Sequence, residues 1–189
     1  MNTDRINYSI TWGVDRWDED ATAWLAARLG RAPQAQDFID HHIESFDSSL
    51  VQGNLLTTAG LTRLTALLNG AGGQALTNTA TRLGVGNGVG TAAVGDTDLS
   101  AAAGSANRWF QVMDATYPST AAGVLTAKAT FASADGNFAW NEFGLDIGTP
   151  TVTSSNAVGA TLFNHKTSIA QGTKASGQTW AATATITFS

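Results

Sequence analysis

The last ten residues before the C-terminal serine, TWAATATITF, constrain this chain more than any other stretch. Trp180, Ala182, Ala184, Ile186 and Phe188 fall on one side of an extended backbone, and Thr179, Ala181, Thr183, Thr185 and Thr187 fall on the other. Ala181 is the one outward position that is not threonine. Period-two alternation of this kind predicts a strand with one face on a core and one in water. Such a strand needs a second layer to cover its apolar side, and the same alternation recurs at Ile6, Tyr8, Ile10, Trp12 and Val14 and again over Val124 to Phe131. The expected fold is therefore mainly β, an antiparallel sandwich of two packed sheets.

Read in order, the chain sets other elements around those strands. Asp18, Glu19 and Asp20 precede Ala21–Leu29, and Gly30 follows, so this segment reads as a short helix with acids at its positive end; a hairpin is the rival reading. Asp37 to Phe46 carries Phe38, Ile39, Ile43 and Phe46 at helical spacing, although its residues also alternate as a strand would. Leu56, Leu61, Leu64, Leu67 and Leu68 predict an amphipathic helix that lays a leucine stripe on the core, stopped by Gly70, Gly72 and Gly73. Thr81 to Val85 reads as a strand, and Gly86, Gly88 and Gly90 as backbone freedom for a wide turn. Asn107 to Asp114, Val124 to Phe131, Phe138 to Ile147, Thr161 to Ser168 and Thr179 to Phe188 supply further strands. The apolar parity changes between Trp140 and Phe143, which predicts a β-bulge near Asn141 or Gly144. A Thr/Ser/Asn-rich loop is expected from Gly148 to Gly159.

Charge divides the chain unevenly. Nine of the fifteen acidic residues and four of the ten basic ones precede Leu50, so the whole formal charge of −5 sits there. Residues 1–50 are accordingly expected to form an N-terminal arm or small subdomain, either a solvated helical cap or an element that docks on a neighbouring subunit, with a β-sandwich domain over 51–189. Only 13 % of residues are charged, about half the usual ~25 %. The surface must then be built from Thr, Ser, Asn and Gln. The acidic balance argues against a nucleic-acid partner, since phosphate binding needs clustered Lys and Arg. No run reaches the roughly 18 apolar residues of a membrane helix, and Met1–Arg5 lacks the apolar core of a signal peptide, so no membrane association and synthesis in the cytoplasm are expected. The chain has no cysteine, which removes disulfides and thiolate chemistry.

The residues that could carry chemistry are few. Gly84, Gly86, Gly88 and Gly90 recur at every second position, which is not the dinucleotide-binding spacing. Gly172-Thr173-Lys174-Ala175-Ser176 has a superficial likeness to a phosphate loop but lacks its glycine spacing and Lys-Ser/Thr pair. His41 and His42 cannot share one helical face, and His165 is remote, so a metal would be held only by accident at an interface. Asp96 and Asp98, with Asn87 nearby, offer oxygens to calcium without the EF-hand order. Trp12, Trp17 and Trp24 could form an aromatic surface for sugars, although alternation places Trp12 in the core, with Trp109, Trp140 and Trp180. Glu142 is flanked by large apolar residues and is expected to be partly buried, pairing with Arg82 or Arg108 or accepting backbone N–H bonds. Catalysis would want a second carboxylate or a histidine beside it in a cleft. No catalytic residue, metal or cofactor is expected.

The segments GNLLTTAGL, RLGVGNG and DTDL, followed by AKATFASADGNFAWNEFGLD and GTKASGQTWAATATITF, resemble a recurrent domain of tailed-bacteriophage virion proteins over roughly Gln52 to Ser189. The most specific signals are GNLL, VGNG and WNEFG. Relatives of this kind include small particle-surface proteins and, more distantly, the attachment region of collar-type tail fibres. The resemblance implies a structural, non-catalytic protein on a phage particle without saying where on it; the particle exterior is the expected location. Its expected role is capsid decoration or a minor capsid protein that contacts the major capsid protein; the alternative is a short tail, baseplate or tail-fibre attachment protein. The chain ends within a strand at Ser189 without a fibrous shaft, which favours the capsid. A homo-oligomer, with a trimer as one form, is expected. A carbohydrate-binding module is the reading from another class.

Overall fold

The computed structural model describes residues 7–148 and 161–188. Ten strands and three helices occur among them, in the order β1 (Tyr8–Trp17), α1 (Glu19–Leu29), α2 (Ala35–Asp40), β2 (Asp47–Gln52), β3 (Leu55–Leu56), α3 (Thr58–Leu68), β4 (Thr81–Gly86), β5 (Arg108–Val112), β6 (Ser119–Ala121), β7 (Val124–Phe131), β8 (Glu142–Ile147), β9 (Thr161–Thr167) and β10 (Thr179–Phe188). They form two antiparallel sheets of five strands, ordered β2-β1-β10-β7-β6 and β3-β9-β8-β4-β5. The fold is the expected β-sandwich. Most of the expected Gly148–Gly159 loop lies outside the described residues.

The core follows from the alternation. Ile10, Trp12 and Val14 from β1, Trp180, Ala182, Ala184 and Ile186 from β10, and Ala127, Ala129 and Phe131 from β7 meet Leu83, Val85, Phe143, Leu145, Ile147 and Phe163 from the second sheet. Ala182 pairs with Ala129 and Ala184 with Ala127, so the middle of the first sheet is stripped to methyl groups. That leaves room for large rings: Trp12 stacks on Phe143 at 4.8 Å, and Trp140 meets Phe131, Phe143 and Trp180 edge-on. Small residues beside large rings let the two layers interdigitate.

The structure corrects the division at residue 50. β1 pairs with β10 along its whole length, from Tyr8 with Phe188 to Trp17 with Thr179, and its inward side chains belong to the main core. The acidic residues gave that strand a false separateness. What stands over the sheet is α1 with α2. Asp18 caps α1 by accepting from the Ala21 N–H at 2.8 Å, and Gly30 ends it at φ 67°, so the helix prevails over the hairpin. α2 stops at Asp40, short of the helix considered over Asp37 to Phe46, and the chain turns into β2. Trp17, Leu25, Ala35 and Phe38 close over Ala181 in a second apolar cluster, Trp17 stacking on Phe38 at 4.4 Å. The missing threonine at Ala181 is where the cap sits.

Two further expectations need correction. An irregularity does fall near Gly144, a register shift against β9 between Leu145 and Asp146, but it is not the cause of the parity change: Phe143, Leu145 and Ile147 keep one parity through it, and Trp140 belongs to the preceding loop. The leucine stripe is also only partly used. Leu56 and Leu64 pack on the core, whereas Leu61 and Leu68 are exposed.

α3 reaches β9 through a glycine instead. A Cβ on Gly60 would lie 2.1 Å from the Phe163 carbonyl oxygen, against backbone that the Thr57 N–H also binds at 3.1 Å. Helix propensity alone favours alanine there by roughly 0.5–1 kcal/mol. The clash outweighs it, because α3 must lift off the strand. Gly60→Ala is expected to destabilise by about 1–3 kcal/mol, as overpacking does, checked by urea denaturation; a gain in stability would show that α3 does not rest on β9.

Candidate functional site

The outer face of the second sheet carries most of the buried ionisable groups. Along β4 the side chains of Leu83 and Val85 enter the core, so Arg82, Gly84 and Gly86 face outward, beside Glu142, Gly144 and Asp146 on β8. The segment 87–107 covers this face. Gly86, Gly88 and Gly90, expected to free the backbone for a turn, have no positive φ, and neither has Gly84 within β4, so that role is corrected. Their value is the missing side chain: a Cβ on Gly84 would lie 2.7 Å from the Phe110 ring, and one on Gly86 would lie 2.3 Å from Glu142 Oε1. Leu99 and Phe110 fill the space so left.

Beneath this cover Glu142, His165 and Asp96 form a chain. His165 is on β9 opposite Gly144, which places its ring on the same face as Glu142. His165 Nε2 lies 2.8 Å from Glu142 Oε2, and Nδ1 lies 2.6 Å from Asp96 Oδ2. The Ser100 and Ala101 N–H groups donate to the two Glu142 oxygens at 2.8 and 2.7 Å, and the Ala93 N–H donates to Asp96 at 2.8 Å. Glu142 and His165 are fully buried.

The electrostatics favour an imidazolium between two carboxylates. Burial alone would lower the His165 pKa, but its hydrogen bonds to Glu142 and Asp96, helped by their charges, raise it above the ordinary 6.5. Burial would raise Glu142, yet His165 and the two backbone N–H groups hold it below its ordinary value. Asp96 is likewise lowered, by the Ala93 N–H and His165 against burial. Both ring nitrogens are engaged and point to opposite sides of the ring, so the three groups are arranged in series around the imidazole and not about a common centre. The arrangement ties the 93–101 segment to β8 and β9.

Glu142 is thus buried as expected and accepts backbone N–H bonds, but its charged partner is His165, neither Arg82 nor Arg108. Arg108 pairs with Asp98 at 2.8 Å, and Arg82 donates to the Thr79 and Thr81 carbonyls. Asp146 lies on the same face with Oδ1 unbonded; burial, and then the like charge of Asp98, push it up to about 7. Asp96, Asp98 and Asn87 do not converge on a cation, since their partners are His165, Arg108 and Asn107. Among the described residues no cluster of three or more His, Asp or Glu has a geometry that could hold a metal ion. His41 Nδ1 lies 2.9 Å from the Asp37 carbonyl, and His42 lines a surface groove of about 520 Å³ with Asp15, Trp17 and Ile39. Lys174, read as part of a loop, is fully buried. The proposed sugar platform is not assembled: Trp12 and Trp17 are buried, and only Trp24 of the three is exposed.

The outer face of the first sheet is of another kind. One row across it reads Gln52, Thr11, Thr185, Thr126 and Ser119, and the next reads Leu50, Gly13, Thr183 and Lys128. A third reads Ser9, Thr187, Val124 and Ala121. Lys128 is the one charged side chain in these rows. Leu50 on the edge strand β2, with Phe46 before it, is exposed. Comparisons of the chain with protein-family models, curated proteins and solved structures give no match.

Proposed function

We propose that this chain is a non-enzymatic structural protein of a tailed-bacteriophage particle, displayed on its exterior, where it decorates or cements the capsid by protein–protein contact. The observation that carries this reading is the outer face of the first sheet: hydroxyls, glycine and alanine, with Gln52, Leu50 and Val124, across five strands, where Lys128 is the single charge in three rows and Asp15 stands in the next. Surfaces depleted of charge suit the centre of an interface, because little solvation is lost when they are covered. The likeness of GNLL, VGNG and WNEFG to phage virion domains supports the same reading, and so does the engagement of both His165 nitrogens by carboxylates. Each copy would add modest energy by burying neutral surface across subunit boundaries of the major capsid protein, and the lattice sums it. The chain would act as a homo-oligomer, a trimer among the candidate forms.

The likeness to collar-type fibres favours a second reading, attachment at the tail or baseplate. Immunogold labelling of intact purified particles separates the two. Label over the shell is the expected result; label confined to the tail establishes the second reading; absence of the polypeptide from purified particles overturns both.

A further inference from the structure

Lys174 is one of three lysines in the chain and is fully buried, at the start of the segment that leads into β10. Its Nζ donates to the Ala132 carbonyl and to Asn137 Oδ1, both at 2.8 Å. The Asn137 carboxamide is held at its other end, where Nδ2 donates to the Ser133 carbonyl at 3.0 Å. Asp135, two residues earlier in the same turn, interacts electrostatically with Lys174 and accepts from the Ala132 N–H at 3.2 Å. The turn rests on aromatic rings: the Trp140 Nε1–H donates to the Gly136 carbonyl at 2.9 Å, and Trp140 meets Phe131 and Trp180 edge-on.

A buried amine, a fixed carboxamide and a neighbouring carboxyl are the reactants and the proton carrier for an intramolecular amide bond. We propose that Lys174 and Asn137 condense to an isopeptide cross-link. The neutral Nζ would attack Asn137 Cγ and form the new C–N bond. The proton shed by Nζ passes through the Asp135 carboxyl to Nδ2, the Cγ–Nδ2 bond breaks, and ammonia leaves. Asn137 is exposed at the surface, which gives that ammonia a path to solvent. No oxidant, metal or co-reactant is consumed.

The electrostatics agree with these roles. Burial lowers the Lys174 pKa to about 8, against the opposing charge of Asp135, so a part of the population carries a free lone pair near neutral pH. Burial raises the Asp135 carboxyl, which favours its proton-carrying form. Holding the amine on the carboxamide replaces a bimolecular encounter with a positioned one. The link would join positions 37 residues apart and enclose β8 and β9, in a chain that has no cysteine to do so.

Intact-mass spectrometry of the full chain, followed by tryptic mapping, tests the proposal. The purified protein, incubated at mildly alkaline pH, is expected to weigh one ammonia less than its sequence mass. It should yield a branched peptide joining Lys174 to Asn137 and no cleavage after Lys174. K174R should restore the full mass, and D135N should slow its loss. A wild-type mass equal to the sequence mass overturns the proposal without any variant. So does loss of ammonia without the branched peptide, which would mark succinimide formation at an asparagine.

Discussion

His165→Ala is expected to lower the unfolding free energy by about 3–5 kcal/mol, the cost of removing one partner from a buried ion pair. The alanine leaves Glu142 fully buried with two backbone N–H donors but no counter-charge, and it frees Asp96 from β9. The pH profile identifies the cause. His165, raised in the folded state, contributes stability fully present below its ordinary 6.5 and lost as pH rises through the folded value. Glu142 and Asp96, both lowered, contribute stability present above their ordinary 4.5 and 3.8 and lost as pH falls through the folded values. The contribution of the three groups is therefore greatest between about 4.5 and 6.5. In the variant the alkaline loss should disappear and the acid loss should shrink, because without His165 the Glu142 and Asp96 carboxyls are held less far below their ordinary values. His165→Gln, which keeps one donor for Glu142, should recover part of the stability. Urea denaturation across pH measures all of this, and faster amide exchange at Ser100 and Ala101 would localise it. A variant within 1 kcal/mol of the parent, with an unchanged profile, would refute the stabilising role of the Glu142–His165–Asp96 chain.

How much of this was readable in advance depends on the range of the interactions. The strands at Tyr8–Trp17, Val124–Phe131 and Thr179–Phe188 declare themselves because alternation is local and one face of each is buried. The α1 helix is equally local, written in Asp18 and Gly30. The Glu142–His165–Asp96 chain is not, since its members are 23 and 69 residues apart and meet only through strand register. A signal did exist: β8 reads Glu, Gly, Asp on one parity and Phe, Leu, Ile on the other, which marks a face carrying buried acids under a close cover. The period-two glycines belong to the same face. They were legible as a pattern but not as a cause, because a glycine needed for space and one needed for positive φ look alike in sequence. Ala181 carried a similar hint, as a single methyl among threonines beneath the helical cap. Lys174 had none, since a lysine in a Gly/Ser-rich segment reads as solvated until the turn that binds it is in place.

The six tryptophans supply the second large effect, because burial separates them sharply. Trp140 is fully buried, with ring centroids of Phe131, Trp180 and Phe143 at 4.7, 4.9 and 6.2 Å. Its backbone is pinned as well, the N–H donating to the Gly172 carbonyl and the carbonyl accepting from the Gln171 N–H. Neighbours fixed in this way cannot collapse into the space an alanine would leave. Trp140→Ala is therefore expected at the upper end of the usual 3–5 kcal/mol for a large aromatic in a core. Trp140→Phe separates cavity from hydrogen bond: it keeps most of the ring but removes the 2.9 Å indole donor from the Gly136 carbonyl, which still accepts from the Phe138 N–H, for about 0.5–1.5 kcal/mol. Trp24, 54 % exposed on α1, is the control, and its alanine variant should fall within about 0.5 kcal/mol of the parent. Chemical denaturation of the three variants gives the order directly. If Trp24→Ala cost as much as Trp140→Ala, the rings clustered around Trp140 would not be the centre on which the two sheets close.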